Sequence, residues 1–463
     1  MSASSASREQ GPTPSEPVGL PETYAGAGPR GFSTDQVHIG QSPESAYGAR
    51  VNPIYMSAGF VFDDFDQAEA RFGGGEEGYS YSRVDNPTTA AVERKLAALE
   101  GGTGARLVSS GQAAVHVATS ALLQAGDHIL ASSSIYEGTR ALFRITYARF
   151  GIAADFVEDP SDLEEWRSKV RPTTKLLFAE SIPNPKNDIH DLAAIAQIAH
   201  DDAGAPLIVD NTLATPYLCR PIEHGADIVL HSTSKFLVGQ GTALGGVIIG
   251  SGRFDFSSHR EKYPQLSEPV FGEPGLSYID QFGPFEAYIE SVRRHISVAY
   301  GTTSSPFNAF LLQQGLETLS MRIQRQTQTA QALAGWLEEH ELVESVDYSG
   351  LESSPYHRLA RKYLPRGQGA VLAFTVRGGR ESARALINSV ELISRMTHIG
   401  DVRTLIINPA TTTHGYLSQA DRDRFGISDG LIRLSIGLED AEDLIADLQH
   451  ALAAVPRSHQ AAA

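Results

Sequence analysis

Short apolar runs separated by polar, helix-period segments dominate the chain between about residues 102 and 250. His128-Ile129-Leu130, Leu176-Leu177-Phe178-Ala179, Leu207-Ile208-Val209, Ile228-Val229-Leu230 and Val247-Ile248-Ile249 each read as a short buried strand. Between two of them, Asp191 to Ala203 places Leu192, Ile195 and Ala199 on one helical face and stops at Gly204. Upstream, Asn86-Pro87-Thr88 opens a helix, because Asn86 can cap it and Pro87 suits the first helical position. Val92, Leu96 and Leu99 then share a face, and Gly101-Gly102 ends the helix. Alternation of this kind predicts an α/β fold with a mainly parallel sheet covered by helices.

Beyond residue 250 the pattern changes. Residues 251–290 are aromatic and rich in Pro and Gly, with little periodicity, and read as a long functional loop region. A helical stretch is expected from about Pro306 to His340, strands near Val371–Phe374 and Leu431–Leu434, and a last helix from about Glu439 to Ala453. These elements form a second, smaller α/β domain. Residues 1–30, biased to Ser, Ala, Gly and Pro, read as a disordered tail. Residues 31–80 read as a mostly irregular arm of the kind that wraps a neighbouring subunit. The expected division is a tail 1–30, an arm 31–80, a large domain 81–290 and a C-terminal domain 291–463.

Composition narrows the class. The chain has 463 residues, 41% hydrophobic and 20% charged, as a soluble globular protein has. The net charge of −17, from 55 acidic and 38 basic side chains, argues against a general nucleic-acid or anionic-membrane surface, yet allows a local basic pocket. The single cysteine, Cys219, excludes an intramolecular disulfide and reads as a packed residue. No stretch reaches the length of a membrane span, and the N-terminus lacks the apolar segment of a signal peptide, so a cytoplasmic location is expected. No metal site is expected.

Candidate chemistry gathers at the ends of the apolar runs, where open α/β sheets bind ligands. Leu207-Ile208-Val209 ends in Asp210, and Ile228-Val229-Leu230 leads into His231-Ser232-Thr233-Ser234-Lys235. An amine and a carboxylate presented together suit pyridoxal phosphate: the amine can condense with its aldehyde, and the carboxylate can keep the pyridine nitrogen protonated. Gly111 and Gln112, after Ser109-Ser110, start a helix whose backbone N–H groups can bind a phosphate, joined by the hydroxyls of Ser232 and Ser234. Tyr136 can stack on the ring or exchange a proton with a leaving group, and the Asn184 amide suits the ring's phenolic oxygen. Taken alone, each of these is a helix cap, a surface tyrosine or a turn. The combination is what carries weight.

Tyr81-Ser82-Arg83, Asn86-Pro87-Thr88, Ser110-Gly111, Asp210-Asn211-Thr212 and Ser232-Thr233-Ser234-Lys235 together resemble the cysteine/methionine-metabolism family of pyridoxal-phosphate enzymes, over roughly residues 32–455. The resemblance implies the type I fold of pyridoxal-phosphate-dependent transferases. It implies that Lys235 holds the cofactor, that Asp210 pairs with its ring nitrogen, and that Gly111, Gln112, Ser232 and Ser234 hold its phosphate. By the same resemblance Tyr81 and Arg83 reach the phosphate of an adjacent subunit, so that two chains share each site in a homo-oligomer, expected to be a tetramer. Arg433, in Gly430-Leu431-Ile432-Arg433-Leu434-Ser435, matches the arginine that clamps the substrate carboxylate; taken alone it reads as a surface arginine on an edge strand.

Within the family, Gly241–Gly246, Ser251–Asp255, Tyr263–Pro269, Ser305–Phe310, Gly315–Ser320 and Pro409–His414 are similar to the branch that replaces the acetate of O-acetyl-L-homoserine by sulfide. Gly138 stands where methionine γ-lyases carry a cysteine. Glu137, Val238, Gln240 and His398 depart from the branch's pattern, and these departures are expected to surround the substrate, His398 near its carboxylate. Use of O-succinylhomoserine or O-acetylserine, a cystathionine or methionine lyase activity, and a non-catalytic scaffold are the alternatives that the sequence leaves open.

Overall fold

Capping and glycine placement set the first long helix. The Asn86 side chain accepts from Thr88 N, Pro87 begins the helix Pro87–Glu100, and Gly101 (φ 80°) ends it in the left-handed region. The computed structural model describes residues 30–41, 47–73, 75–269 and 275–456. Except for Arg30, the expected tail lies outside the described residues. Within the arm, helices Phe32–His38 and Phe65–Gly73 are the regular elements. Tyr47, Val61, Phe65 and Phe72 of the arm are largely exposed.

Seven strands form the larger sheet: β1 (Gly104–Val108), β2 (His128–Ser132), β3 (Ala153–Val157), β4 (Thr174–Glu180), β5 (Leu207–Asp210), β6 (Ile228–Ser232) and β7 (Gly246–Gly250). Their order is β1-β7-β6-β5-β4-β2-β3. The pairs β2–β3, β2–β4, β4–β5 and β5–β6 are parallel, and β7 runs antiparallel to both β6 and β1. The sheet is mainly parallel, as expected. Successive residues alternate between two cores: Leu177, Leu207, Val209 and Val229 face one, while Leu176, Phe178, Ile208 and Ile228 face the other. Burial on both faces is why these strands read as continuous apolar runs. The edge strand β3 escaped detection because it is half-exposed and has no such run.

The second sheet comprises β8 (Val343–Asp347), β9 (Val371–Val376), β10 (Ser394–Arg395), β11 (Leu405–Ile407) and β12 (Leu431–Ser435), in the order β10-β11-β12-β9-β8. Its residues Leu372, Phe374, Ile432 and Leu434 belong to the same core as one face of the large sheet. One expectation is corrected here. Arg433 is neither at the surface nor on an edge: β12 lies between β11 and β9, and Arg433 is 3% exposed.

Residues 251–290 also differ from expectation. The described part carries helical turns at Phe256–His259 and Pro264–Ser267 and the helix Tyr278–Ser291, kinked at Gly283 (φ 79°) ahead of Pro284. Phe254, Phe256, Tyr263, Leu266 and Tyr288 are buried in the core on the far side of the sheet. The aromatic residues of this segment are anchors rather than a ligand loop. The helical stretch after Pro306 forms two helices, Pro306–Leu316 and Leu319–Glu338, and the last helix is Ala441–Ala453. Among the described residues, no helix is long and apolar enough to cross a membrane.

Candidate active site

Parallel pairing brings the carboxyl ends of β4, β5 and β6 to one edge, with Glu180 directly opposite Asp210. Thr212 ties the neighbouring ends together. Its backbone N (3.0 Å) and hydroxyl (2.5 Å) both donate to Asp210 Oδ1, and its hydroxyl accepts from Ser232 N at 2.8 Å. Both bonds to Asp210 fall on one oxygen, which leaves Oδ2 for a ligand. Burial pushes the Asp210 carboxyl up despite the Thr212 bonds. Burial, then the Asp210 charge, pushes the wholly buried Glu180 well above the carboxylate range.

Beside these ends the helix Gly111–Ser120 begins, capped by Ser110, whose side chain accepts from Ala113 N. A Cβ at Gly111 would fall 2.6 Å from Ser232 Cβ, so only glycine allows the helix start to close on β6. The Ser232 and Ser234 hydroxyls lie 2.8 Å apart there. The Gln112 side chain donates to Gly138 O at 3.0 Å, tying the helix start to the loop that carries Tyr136. A Cβ at Gly138 would fall 2.5 Å from the Tyr136 ring. A cysteine there would require that ring to shift. Tyr136 N donates to Glu180 Oε1 at 2.6 Å, and its side chain is 52% exposed.

Lys235 follows β6. Its Nζ lies 3.0 Å from His398 Nδ1, and burial, then the Arg433 charge, lowers the amine to about 8. Arg433 Nη2 donates to the carbonyls of Thr397 (2.8 Å) and His398 (3.1 Å), and Nη1 reaches Asn184 Oδ1 at 3.4 Å. Its Nε is buried with no hydrogen-bond partner among the described residues. Next to Tyr136, Glu137 Oε2 is 3.1 Å from Arg140 Nε, and the Arg140 guanidinium stacks 4.0 Å from the centre of Phe425. The Tyr416 hydroxyl lies near enough to Glu137 for each to shift the other's proton affinity. Burial, then Arg140 and Arg433, lowers His414 to about 4, so its ring is neutral.

These groups line one cavity of about 600 Å³. It brings together Gly111, Gln112, Tyr136, Asn184, Asp210, Ser232, Ser234, Lys235, His398 and Arg433. Tyr81 and Arg83 are not among its lining: Arg83 donates to Val298 O at 2.9 Å and sits over the Tyr81 ring. Of the four departures, Glu137 and His398 line the cavity, but Val238 and Gln240 do not. Val238 is buried against Gly315, whose Cβ would meet its carbonyl, and the Gln240 carbonyl accepts from Arg403. Glu180, His414 and Tyr416 also line the cavity and had been given no role. Glu180 carries the signal that singled out Asp210, a carboxylate closing an apolar run. Tyr416 carries none, and His414 shows only as the end of the Pro409–His414 segment, because both come from an irregular loop far along the chain.

The fit to pyridoxal phosphate can be tested on these donors alone. A buried carboxyl displaced upward is relieved by a cation, which a protonated pyridine nitrogen provides. A phosphate needs N–H and O–H donors at close approach, and the Gly111 helix start with two serine hydroxyls offers them. An aldehyde needs an amine that loses its proton near neutral pH, as Lys235 does. The chain is a pyridoxal-phosphate-dependent enzyme of mainly parallel α/β fold.

Comparison with known proteins identifies the family. Residues 33–453 match the Cys/Met metabolism PLP-dependent enzyme family, and the chain belongs to it. It is 44% identical to a homocysteine synthase of Schizosaccharomyces pombe, over 91% of this chain and 98% of the relative. It is 43% identical to an O-acetyl-L-homoserine sulfhydrylase of Corynebacterium glutamicum, over 92% and 97%. A solved structure from Campylobacter jejuni, a putative O-acetylhomoserine (thiol)-lyase carrying a pyridoxyl-lysine phosphate, superposes with a TM-score of 0.87 at 36% identity, covering 92% of this chain and 100% of that one.

Proposed function

We propose that the chain replaces the acetate of O-acetyl-L-homoserine with sulfide to form L-homocysteine, a γ-replacement in methionine biosynthesis. The observation that carries this reading is the meeting of Lys235, Tyr136 and Arg433 in one cavity. The activities of the homocysteine synthase and O-acetyl-L-homoserine sulfhydrylase relatives support the choice of substrate. The Glu137 carboxylate in the same cavity is paired with Arg140, so that guanidinium is not free to attract an anionic succinyl group, which favours the neutral acetyl.

Arg433 receives the substrate's α-carboxylate. Its Nη2 is committed to two carbonyls, which fix the guanidinium plane, and the unpartnered Nε is a donor that a carboxylate satisfies. Gly111, Gln112, Ser232 and Ser234 hold the cofactor's phosphate, Asp210 its ring nitrogen, and Lys235 its aldehyde carbon. Pyridoxal phosphate, when bound, supplies an electron-withdrawing ring conjugated to the substrate's α-carbon. Lys235, neutral in part near pH 8, would take the proton from Cα, pass it to the conjugated system that the bound cofactor would supply, and, neutral again, take one from Cβ. The Cγ–O bond can then break, with the Tyr136 phenol assisting the departing acetate. Sulfide's sulfur bonds to Cγ, and Lys235 returns the protons.

The same reading includes a homo-oligomer, a tetramer in which two chains share each site through Tyr81 and Arg83. It is supported by the exposed apolar residues of the arm and by the absence of both residues from their own chain's cavity. It also includes a cytoplasmic location and the division into arm 31–80, cofactor-binding part 81–290 and C-terminal part 291–463.

The test is a product assay with O-acetyl- and O-succinyl-L-homoserine, each with and without sulfide. Homocysteine that forms only with sulfide, and faster from the acetyl ester, is the expected result. 2-Oxobutanoate released without sulfide would replace this reading with a lyase.

A further inference from the structure

We propose that His398 is a positioning residue for Lys235: its Nδ1 accepts a hydrogen bond from Nζ and holds the amine, whenever it is free, against one wall of the cavity. While Nζ is an ammonium it has only donors, so across the 3.0 Å contact Nδ1 accepts and the ring proton sits on Nε2, which is buried with no hydrogen-bond partner among the described residues. The segment carrying His398 is set directly on the lysine's own backbone. Gly400 (φ 77°) closes it, and a Cβ there would fall 2.5 Å from Phe236 N and 2.8 Å from Lys235 C. Ser435 Oγ accepts from Gly400 N at 2.9 Å, and Arg433 Nη2 donates to the His398 carbonyl. The backbone that carries the ring is therefore held against β12 and against Lys235 itself. Burial, together with the charges of Lys235 and Arg433, disfavours a proton on this ring; Asp401 and the Ser234 carbonyl favour one. The net direction is downward, which keeps the ring neutral and able to accept.

This inference rests on Lys235 being the proton carrier proposed above, and its test separates the two. Cofactor-free chain is acetylated with acetic anhydride across a pH series, and modification of Lys235 is followed by mass spectrometry. An acceptor stabilises the ammonium, so His398→Leu is expected to move the labelling midpoint down by roughly one pH unit. In the loaded enzyme the same change should lower kcat with KM nearly unchanged. His398→Gln, which keeps an acceptor, should retain the wild-type midpoint. If the leucine variant does not fold, His398→Ser, too short to reach Nζ, carries the same expectation. A midpoint unmoved by removal of the ring, or glutamine behaving as leucine does, overturns the inference. A shifted midpoint in a chain that turns over neither ester would instead sink the proposed reaction and leave the contact standing.

Discussion

The cavity has two walls built on different principles. The wall from the large sheet, Gly111–Gln112, Asp210–Thr212 and Ser232–Lys235, consists of strand ends and a helix start locked by short hydrogen bonds through Thr212 and by the close approach of Gly111 to Ser232. The facing wall, Glu137, Thr397–His398, Thr413–Tyr416 and Arg433, is assembled from segments far apart in the chain, mostly loops. The first wall suits a cofactor that stays the same. The second presents charges and rings that sort substrates, and both cavity-lining departures from the branch's pattern, Glu137 and His398, stand on it. A site can keep its chemistry while its selectivity changes when the two are carried by separate walls.

The sharpest break of that contrast is Lys235→Ala, which removes the proton carrier of the first wall. Turnover should fall by about 10³-fold or more, with loss of the cofactor's visible absorbance, read by steady-state kinetics and spectrum. Arg433→Ala acts on the second wall. KM for the amino acid should rise roughly 10- to 100-fold, as loss of a charge-assisted pair implies, with cofactor content unchanged. Cofactor loss as the main effect would put Arg433 on the wrong wall. Gly111→Ala should do the reverse, weakening pyridoxal phosphate binding about tenfold by titration, because the added methyl overpacks against Ser232. The smallest effect is expected for Glu137→Gly: a few-fold shift of the acetyl-to-succinyl ratio of kcat/KM toward succinyl, with cofactor affinity intact.

The same division decides what was legible in the sequence. The doubly buried strands β2, β4, β5, β6 and β7 announce themselves as apolar runs, and the residues that close β5 and β6 are the cofactor candidates. β3, β8, β10 and β11 are short or half-exposed, and their pattern is lost among loops. Arg433 was misplaced when taken alone because a charged residue in a short strand argues for an edge, whereas here it is a buried cation held by carbonyls. Residues 251–290 hid their helices because aromatic anchors and prolines break the helical period. Tyr416, and the place of His414 in the site, became visible only when the fold carried their loop to the cavity.

The most direct measurement of the central claim is chemical. Burial lowers Lys95, Lys235 and Lys262 alike to about 8, so amine reactivity alone does not single one out. Only Lys235 of the three lines the cavity. Borohydride reduction of the loaded enzyme, followed by peptide mass spectrometry, should place the pyridoxyl adduct on Lys235. An adduct on Lys95 or Lys262, or none at all, would contradict the account.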